Sequence, residues 1–326
     1  MKYLKVSEAA EKWKISARRV RVLCAEGRID GVIKKGNLYM IPENAVRPVD
    51  GRYRTPAIIK ETEQKKKRLS QLRPLSPAEV QRLAEEFTVE YTYNSNAIEG
   101  STLTMKETAM VLQGITVDKK PLKEHLEAVG HRDAFSYVQD IAVKDMELNE
   151  FTIKNIHSLV LMHRPEDKGV YRRIPVKITG AYTEPAPPHL IAEKMGELIA
   201  SDKNRKATMH LVQRIALFHL EFEGIHPFID GNGRTGRLLL NLELIRNGYP
   251  PINIKFTDRR RYYDAFDSFY RDGNTEDMTN LIAEYVNRRL DEYLALLENL
   301  KPTPKPQADA CGFSFMLILF PLNNPI

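Results

Sequence analysis

A histidine, a carboxylate, three glycines and two arginines fall within twelve residues, His226-Pro227-Phe228-Ile229-Asp230-Gly231-Asn232-Gly233-Arg234-Thr235-Gly236-Arg237. Their types and order suit chemistry on a phosphate. Gly231-Asn232-Gly233 can turn successive backbone N–H groups toward one anion. The apolar run from Leu238-Leu239-Leu240 to Leu244-Ile245 reads as a buried helix whose N-terminus faces the same point. Arg234 and Arg237 lie three residues apart, so both can reach one side of that terminus. An imidazole, with its pKa of about 6.5, can take the proton of a hydroxyl as that hydroxyl attacks. A carboxylate can hold Mg²⁺, and the arginines can neutralise phosphate charge. Each part alone has a plainer reading, since a histidine at a helix end is commonly a cap and glycines beside Asp and Asn make ordinary turns.

Two other phosphate motifs are excluded. Gly231-x-Gly233-x-x-Gly236 also matches the dinucleotide fingerprint, but that fingerprint must follow a strand. Here Leu211, Ile215, Phe218 and Phe222 precede it at helical spacing. A P-loop needs Gly-Lys-Ser/Thr, which does not follow.

The twelve residues resemble the core motif of the Fic family, HxFx[D/E]GNGRxxR, at every specified position. The resemblance implies a mainly α protein, a Fic-type helical bundle with a small β-hairpin flap, that moves AMP from ATP onto a hydroxyl side chain of a protein. By that resemblance His226 is the general base and Asp230 holds Mg²⁺. Gly231, Asn232, Gly233 and Arg234 cradle the phosphates, and Arg237 reaches the terminal one. Ser95-Asn96-Ala97-Ile98-Glu99-Gly100 resembles the family's inhibitory pattern [S/T]xxxE[G/N], placed N-terminal to the core. Ser95 and Glu99 carry that likeness. A Glu99 packed on the anion site can pair fork-to-fork with Arg237, which then no longer holds the terminal phosphate. Family position also implies a flap at Val176, Lys177 and Ile178, whose edge adds a target backbone as a strand. Tyr263 is implied beside the nucleotide base, with Tyr262 read as core. Tyr270 stands where the family carries an asparagine near the base, a departure that bears on base selectivity.

These residues must be positioned by helices. Ser76-Pro77 opens one that runs through Val80, Leu83, Phe87 and Tyr91 to Glu99-Gly100. Amphipathic helices are expected at 105–113, 121–145, 152–162 and 275–297, with His125, His131, His157 and His163 scattered among them. Residues 169–180 break the helical pattern, and Val176 and Ile178 alternate with polar residues. The bundle is expected over 76–300, with its inhibitory segment at 95–100 and core motif at 226–237. A Pro-rich tail with an apolar end, Phe313–Phe320, follows over 301–326.

The net charge of +6 is unevenly placed. Through Arg73 there are 19 Lys and Arg against 8 Asp and Glu, so the basic excess is entirely N-terminal and suits a polyanion partner. Residues 1–47 read as a small winged helix-turn-helix domain. Ser7 would cap a first helix and Ser16 a second, with Val20, Leu23 and Cys24 inward, and a hairpin would follow around Lys34-Lys35-Gly36-Asn37. This layout resembles excisionase-like and MerR-like domains. The likeness implies DNA binding, with Arg18, Arg19 and Arg21 near a major groove and Lys34 and Lys35 on phosphates. Residues 48–75 read as a basic linker leading into a short helix, with a solvated charge run at Lys65-Lys66-Lys67-Arg68.

Two cysteines, Cys24 and Cys311, make no disulfide framework, so a reducing cytoplasm is expected. Neither a signal peptide nor a membrane span is expected. The partners expected are ATP and a target protein, which includes the chain itself because its own loops are always at high effective concentration. A homodimer would give Glu99 a second layer of control. Three other readings stay open: removal of AMP, with Glu99 aligning a water; transfer of UMP or phosphate; and a DNA-binding regulator whose Fic body senses nucleotide.

Overall fold

Leucines at 238, 239, 240, 242 and 244 with Ile245 point in every direction around a helix, so no face of it can be left to water. The helix that carries them, Asn232–Arg246, lies at the centre of the bundle with thirteen of its fifteen residues buried. The computed structural model describes residues 3–13, 16–25, 27, 29, 31–36, 38–43, 45, 56–178 and 182–299. The expected apolar tail end and Cys311 lie outside the described residues.

The chain divides into two compact units, Met1–Thr55 and Pro56 onward. In the first, β1 (Tyr3–Lys5), α1 (Val6–Lys12), α2 (Ala17–Ala25), β2 (Ile33–Lys35) and β3 (Leu38–Pro42) follow in order. The strands form an antiparallel sheet of order β1-β3-β2, with Leu4 opposite Ile41 and Ile33 opposite Met40. Val20, Leu23 and Cys24 are buried with Trp13 and Ile41, as the inward stripe requires. Two local expectations change. α1 starts at Val6 rather than after Ser7, because the Lys5 N–H donates to the Glu8 carboxylate (2.7 Å) and closes the helix there. Lys34 and Lys35 belong to β2 itself, so the hairpin turn is shorter than expected. Arg18, Arg21, Lys34 and Lys35 are exposed. Arg19 belongs to α2, and its side chain lies outside the described residues.

The second unit holds α3 (Ala57–Ser70), α4 (Pro77–Ile98), α5 (Met105–Leu112), α6 (Leu122–Val143), α7 (Glu150–Val160), α8 (Ile191–Arg205), α9 (Leu211–Ile225), α10 (Asn232–Arg246), α11 (Arg259–Asp272) and α12 (Glu276–Asn299). α6, α7 and α9 pack around α10, and α4 reaches it at one end. Ser76 and Glu79 form a capping box that fixes the start of α4, and Asn241 of α10 pins the segment before α11 through two bonds to Ile252 (2.8 and 2.9 Å). Residues 170–178, the near arm of the expected flap, belong to no helix or strand. Val176 and Ile178 are half-buried and Lys177 is exposed, while residues 179–181 lie outside the described residues. No helix among the described residues is long and apolar enough to cross a membrane.

Much of the stretch read as linker is helix. α3 packs on α12 and buries Ile59, Thr62 and Leu69. Its charge run is tied down, Lys65 to Asp291 (2.7 Å), Arg68 to Glu298 (2.8 Å) and Lys66 over the Tyr249 ring (4.1 Å). Ile59→Ala should therefore destabilise this unit by about 2–5 kcal/mol in urea denaturation, whereas a solvated linker position would change it by less than about 0.5 kcal/mol.

Candidate active site

α9 and α10 are joined by six residues, 226–231, and side chains from α7, from the 170–178 segment and from the start of α10 itself hold that loop. His226 ends α9 in the left-handed region (φ 49°, ψ 62°), with its N–H bonded to Phe222 O (3.0 Å). A non-glycine residue stays there only when its surroundings insist. Arg172, buried, donates from Nε to His226 O (2.8 Å) and from its other nitrogens to Ile174 O (3.0 Å) and Ala186 O (2.5 Å). Its backbone N–H reaches Pro227 O (3.0 Å). Farther along, the Asn232 side chain accepts from Phe228 N (2.9 Å) and donates to Phe228 O (2.9 Å). The Phe228 ring stacks on His157 at 3.6 Å and 5°.

His157 has one workable tautomer. The Gly169 N–H donates to Nδ1 (2.9 Å), so the proton sits on Nε2 and is donated to Asp230 O (2.9 Å). Burial holds its pKa down at about 4. The loop that carries His226 and Asp230 is therefore clamped at 226, 227, 228 and 230.

α10 begins with two buried guanidinium groups. Arg234 pairs with Glu127 (3.0 Å) and Asp230 (3.2 Å). Arg237 donates from Nε to Ser95 Oγ (3.1 Å), from one terminal nitrogen to Tyr262 Oη (3.3 Å), and from the other to Ser95 O (2.8 Å) and Glu99 Oε1 (2.8 Å). The expected fork-to-fork pair is thus a single-oxygen contact, because Ser95 and Tyr262 occupy the other donors. Burial pushes the Arg237 pKa down, but Tyr262 and Glu99 outweigh it and hold it above its ordinary value. Glu99 enters the site beside Gly233, where an added Cβ would stand 2.3 Å from Glu99 Oε1. Only a glycine leaves room for that carboxylate.

A cavity of about 650 Å³ opens here, lined by His226, Asp230, Gly233, Arg237, Tyr263 and Ile178 among others. That volume suits a nucleotide-sized ligand. Burial, and next the charge of Arg172, push His226 down to about 4, so the ring is neutral at pH 7. Burial alone would raise Asp230, but Arg234 and the Gly231 N–H hold its carboxyl below the ordinary value. His163, read from sequence as scattered scaffold, comes together with Glu127 and Asp230, with one potential ligand atom from each within 4.8 Å of the others. Tyr263 is more than a third exposed at the cavity edge. Tyr262 is buried, as core packing requires, yet its hydroxyl also meets His219 Nε2 (2.6 Å). The Tyr270 hydroxyl donates to Leu220 O (2.9 Å).

Of the residues singled out from sequence, His226, Asp230, Gly231, Gly233, Arg237, Glu99, Tyr263 and Ile178 line one cavity, whereas Arg234 and Ser95 do not line it and pair with Glu127 and Arg237, respectively. Asn232 sits there too, with its side chain turned into the loop. Arg172, His157 and Glu127 carried no sequence signal and are what hold the motif.

The fold has known counterparts. Residues 147–244 match the Fic/DOC family. The Fic match continues outside that stretch. A Fic domain containing signaling protein of Bacteroides thetaiotaomicron shares 27% identity at a TM-score of 0.66, over 77% of this chain and all of that one. Fic-1 of C. elegans aligns at 26% identity and a TM-score of 0.66, over 74% of this chain and 72% of that one. Among curated relatives, the protein adenylyltransferase Fic of Drosophila ananassae is 35% identical over 223 residues, 67% of this chain and 44% of that protein. That of Drosophila grimshawi is 35% identical over 221 residues, 67% and 45%. The chain spans less than half the length of these curated relatives.

The clamp predicts a pH dependence of stability. His157 is neutral in the folded state down to about pH 4, whereas the unfolded histidine protonates near 6.5. The unfolded state therefore binds more protons between these values, and stability falls as pH drops through that window, by on the order of 3 kcal/mol from this residue. His157→Gln should be less stable at pH 7 and lose less on acidification, read from urea midpoints at pH 7, 5.5 and 4.5.

Proposed function

We propose that the chain is a protein adenylyltransferase that transfers AMP from ATP to a hydroxyl side chain of a protein and is held down by Glu99. The supporting observation is the Glu99 carboxylate seated on Arg237 beside Gly233, an anion where the N-terminus of α10 and its arginines suit a phosphate. In this reading Arg234 and Arg237 neutralise the triphosphate and the Gly231–Gly233 backbone orients it. His226, neutral and at the cavity, takes the hydroxyl proton as the oxygen attacks the α-phosphorus and pyrophosphate leaves. In this reading Val176, Lys177 and Ile178 dock the target backbone, which is supported by Ile178 lining the cavity.

Asp230 suits Mg²⁺, being an ionised oxygen donor at the cavity with a side chain one-third exposed. Glu127 and Asp230 both pair with Arg234, but of the two only Asp230 lines the cavity, which makes it the carboxylate for the ion. Bound there, Mg²⁺ would supply charge neutralisation to the phosphates.

ATP labelled on the α-phosphate, with γ-labelled ATP in parallel, tests the assignment. Transfer to protein of the α-label alone is expected, raised at least about tenfold by Glu99→Gly and abolished by adding His226→Ala. Transfer of the γ-label, or no gain on removing Glu99, would overturn it.

For the first unit we propose DNA binding through Arg18, Arg21, Lys34 and Lys35, supported by their exposure and by the basic excess of this segment. Affinity for duplex DNA should fall linearly on a log–log salt plot, and replacing Lys34 and Lys35 by Ala should flatten the slope by about 2.

A further inference from the structure

The last turn of α9 carries a carboxyl that no salt bridge or cap explains. Glu223 is mostly buried, and its Oε1 is fully buried with no hydrogen-bond partner. Its Oε2 lies 3.7 Å from His226 Nδ1, a buried nitrogen whose other acceptor on this side is the Glu223 backbone. Neighbouring elements leave the pair its space. An added Cβ at Gly236 of α10 would stand 2.8 Å from Glu223 Oε1 and 2.7 Å from His219 Nδ1, so a larger residue there would displace the carboxyl. Such a group, kept apolar-side and unpaired, is costly to hold and calls for a purpose.

We infer that Glu223 is a positioning residue for His226: its carboxylate accepts the Nδ1–H, leaving Nε2 bare on the cavity side to receive the hydroxyl proton. The inference rests on the adenylyltransferase assignment above. A neutral imidazole carries one proton, and a base that acts through Nε2 must carry it on Nδ1. Glu223 Oε2 is the carboxyl oxygen beside that nitrogen. As the hydroxyl proton passes to Nε2, the O–P bond forms and the bond to the pyrophosphate oxygen breaks. The ring then becomes an imidazolium in surroundings hostile to positive charge, with Arg172 holding the His226 carbonyl at 2.8 Å. The facing carboxylate provides the counter-charge at that moment. Burial, and next the charge of Glu99, raise Glu223 to about 8, against the opposing pull of Arg237, so its carboxylate form fills in above neutral pH.

The test uses the full chain with Glu99→Gly, at pH 9 where Glu223 is ionised. Glu223→Gln keeps the shape but offers Nδ1 only a neutral amide, which removes the charge-assisted hold of the carboxylate on the Nδ1 proton. The expected result is a loss of kcat of about 100-fold or more with KM for ATP within twofold, partly restored in Glu223→Asp. Independently of turnover, ¹⁵N NMR of the His226 ring, assigned against His226→Ala, should report Nδ1–H in the parent and a shift toward Nε2–H in Glu223→Gln. An unchanged tautomer with kcat within threefold of the parent would overturn the inference. Because the ring measurement needs no AMP transfer, a tautomer shift in a chain that transfers nothing would refute the assignment of function and leave the role of Glu223 standing.

Discussion

Two guanidinium groups are buried at the positive end of the most enclosed helix in the molecule, and the surrounding structure is arranged to tolerate that charge. Arg234 and Arg237 are each about 2% exposed, and the dipole of α10 adds its own positive field at the same place. Glu127 comes from α6, Asp230 from the loop, and Ser95 and Glu99 from the end of α4 to meet them. An arginine cannot neutralise itself by losing a proton, so each of these partners is obligatory in a way that a lysine's would not be. The four-sided packing of α10 thus does two jobs, burying leucines along its length and delivering acceptors to its start.

The same field adds to the effect of burial on the histidines. His131 and His219 are buried near Arg237, and His157 near Arg234; burial first and these arginines next hold all three below their ordinary pKa. Neutral rings can serve as directional hydrogen-bond parts where charged ones would repel, and His157 is the clearest case, accepting from one backbone group and donating to another across 73 residues. The clamp needs both nitrogens in different states. Arg172 completes it from another segment by binding only carbonyl oxygens, which satisfies the loop backbone without adding a carboxylate to the site.

What was legible in the sequence is what local spacing encodes. The twelve-residue motif, the start and end of α4, and the buried face of α2 follow from residue order, and the structure has them there. The reading of 48–75 as a basic linker leading into a short helix left the charge run solvated; α3 runs from Ala57 to Ser70 and is held by Ile59 and Leu69 packed against α12, a contact that residue order does not show. Arg172, His157 and Glu127 could not be found, since each acts on residues 54 to 107 positions away. The geometry of Glu99 on Arg237 was foreseen as a pair but not as a single contact, because the competing claims of Ser95 and Tyr262 on the same guanidinium are visible only in three dimensions.

The close approach of Glu99 to Gly233 has a consequence for how such a chain can evolve. The space beside Gly233 holds the carboxylate, and on the function proposed above it is also the space that a backbone nest would keep open for an anion. A side chain introduced at 233 would evict the carboxylate and close the nest in one step. Variation on the α10 side therefore cannot separate occupation of the site from its capacity to bind. Only changes on the α4 side, at Ser95 or Glu99, leave the nest intact, so the freedom to retune this contact over generations belongs to one helix end and is denied to the other.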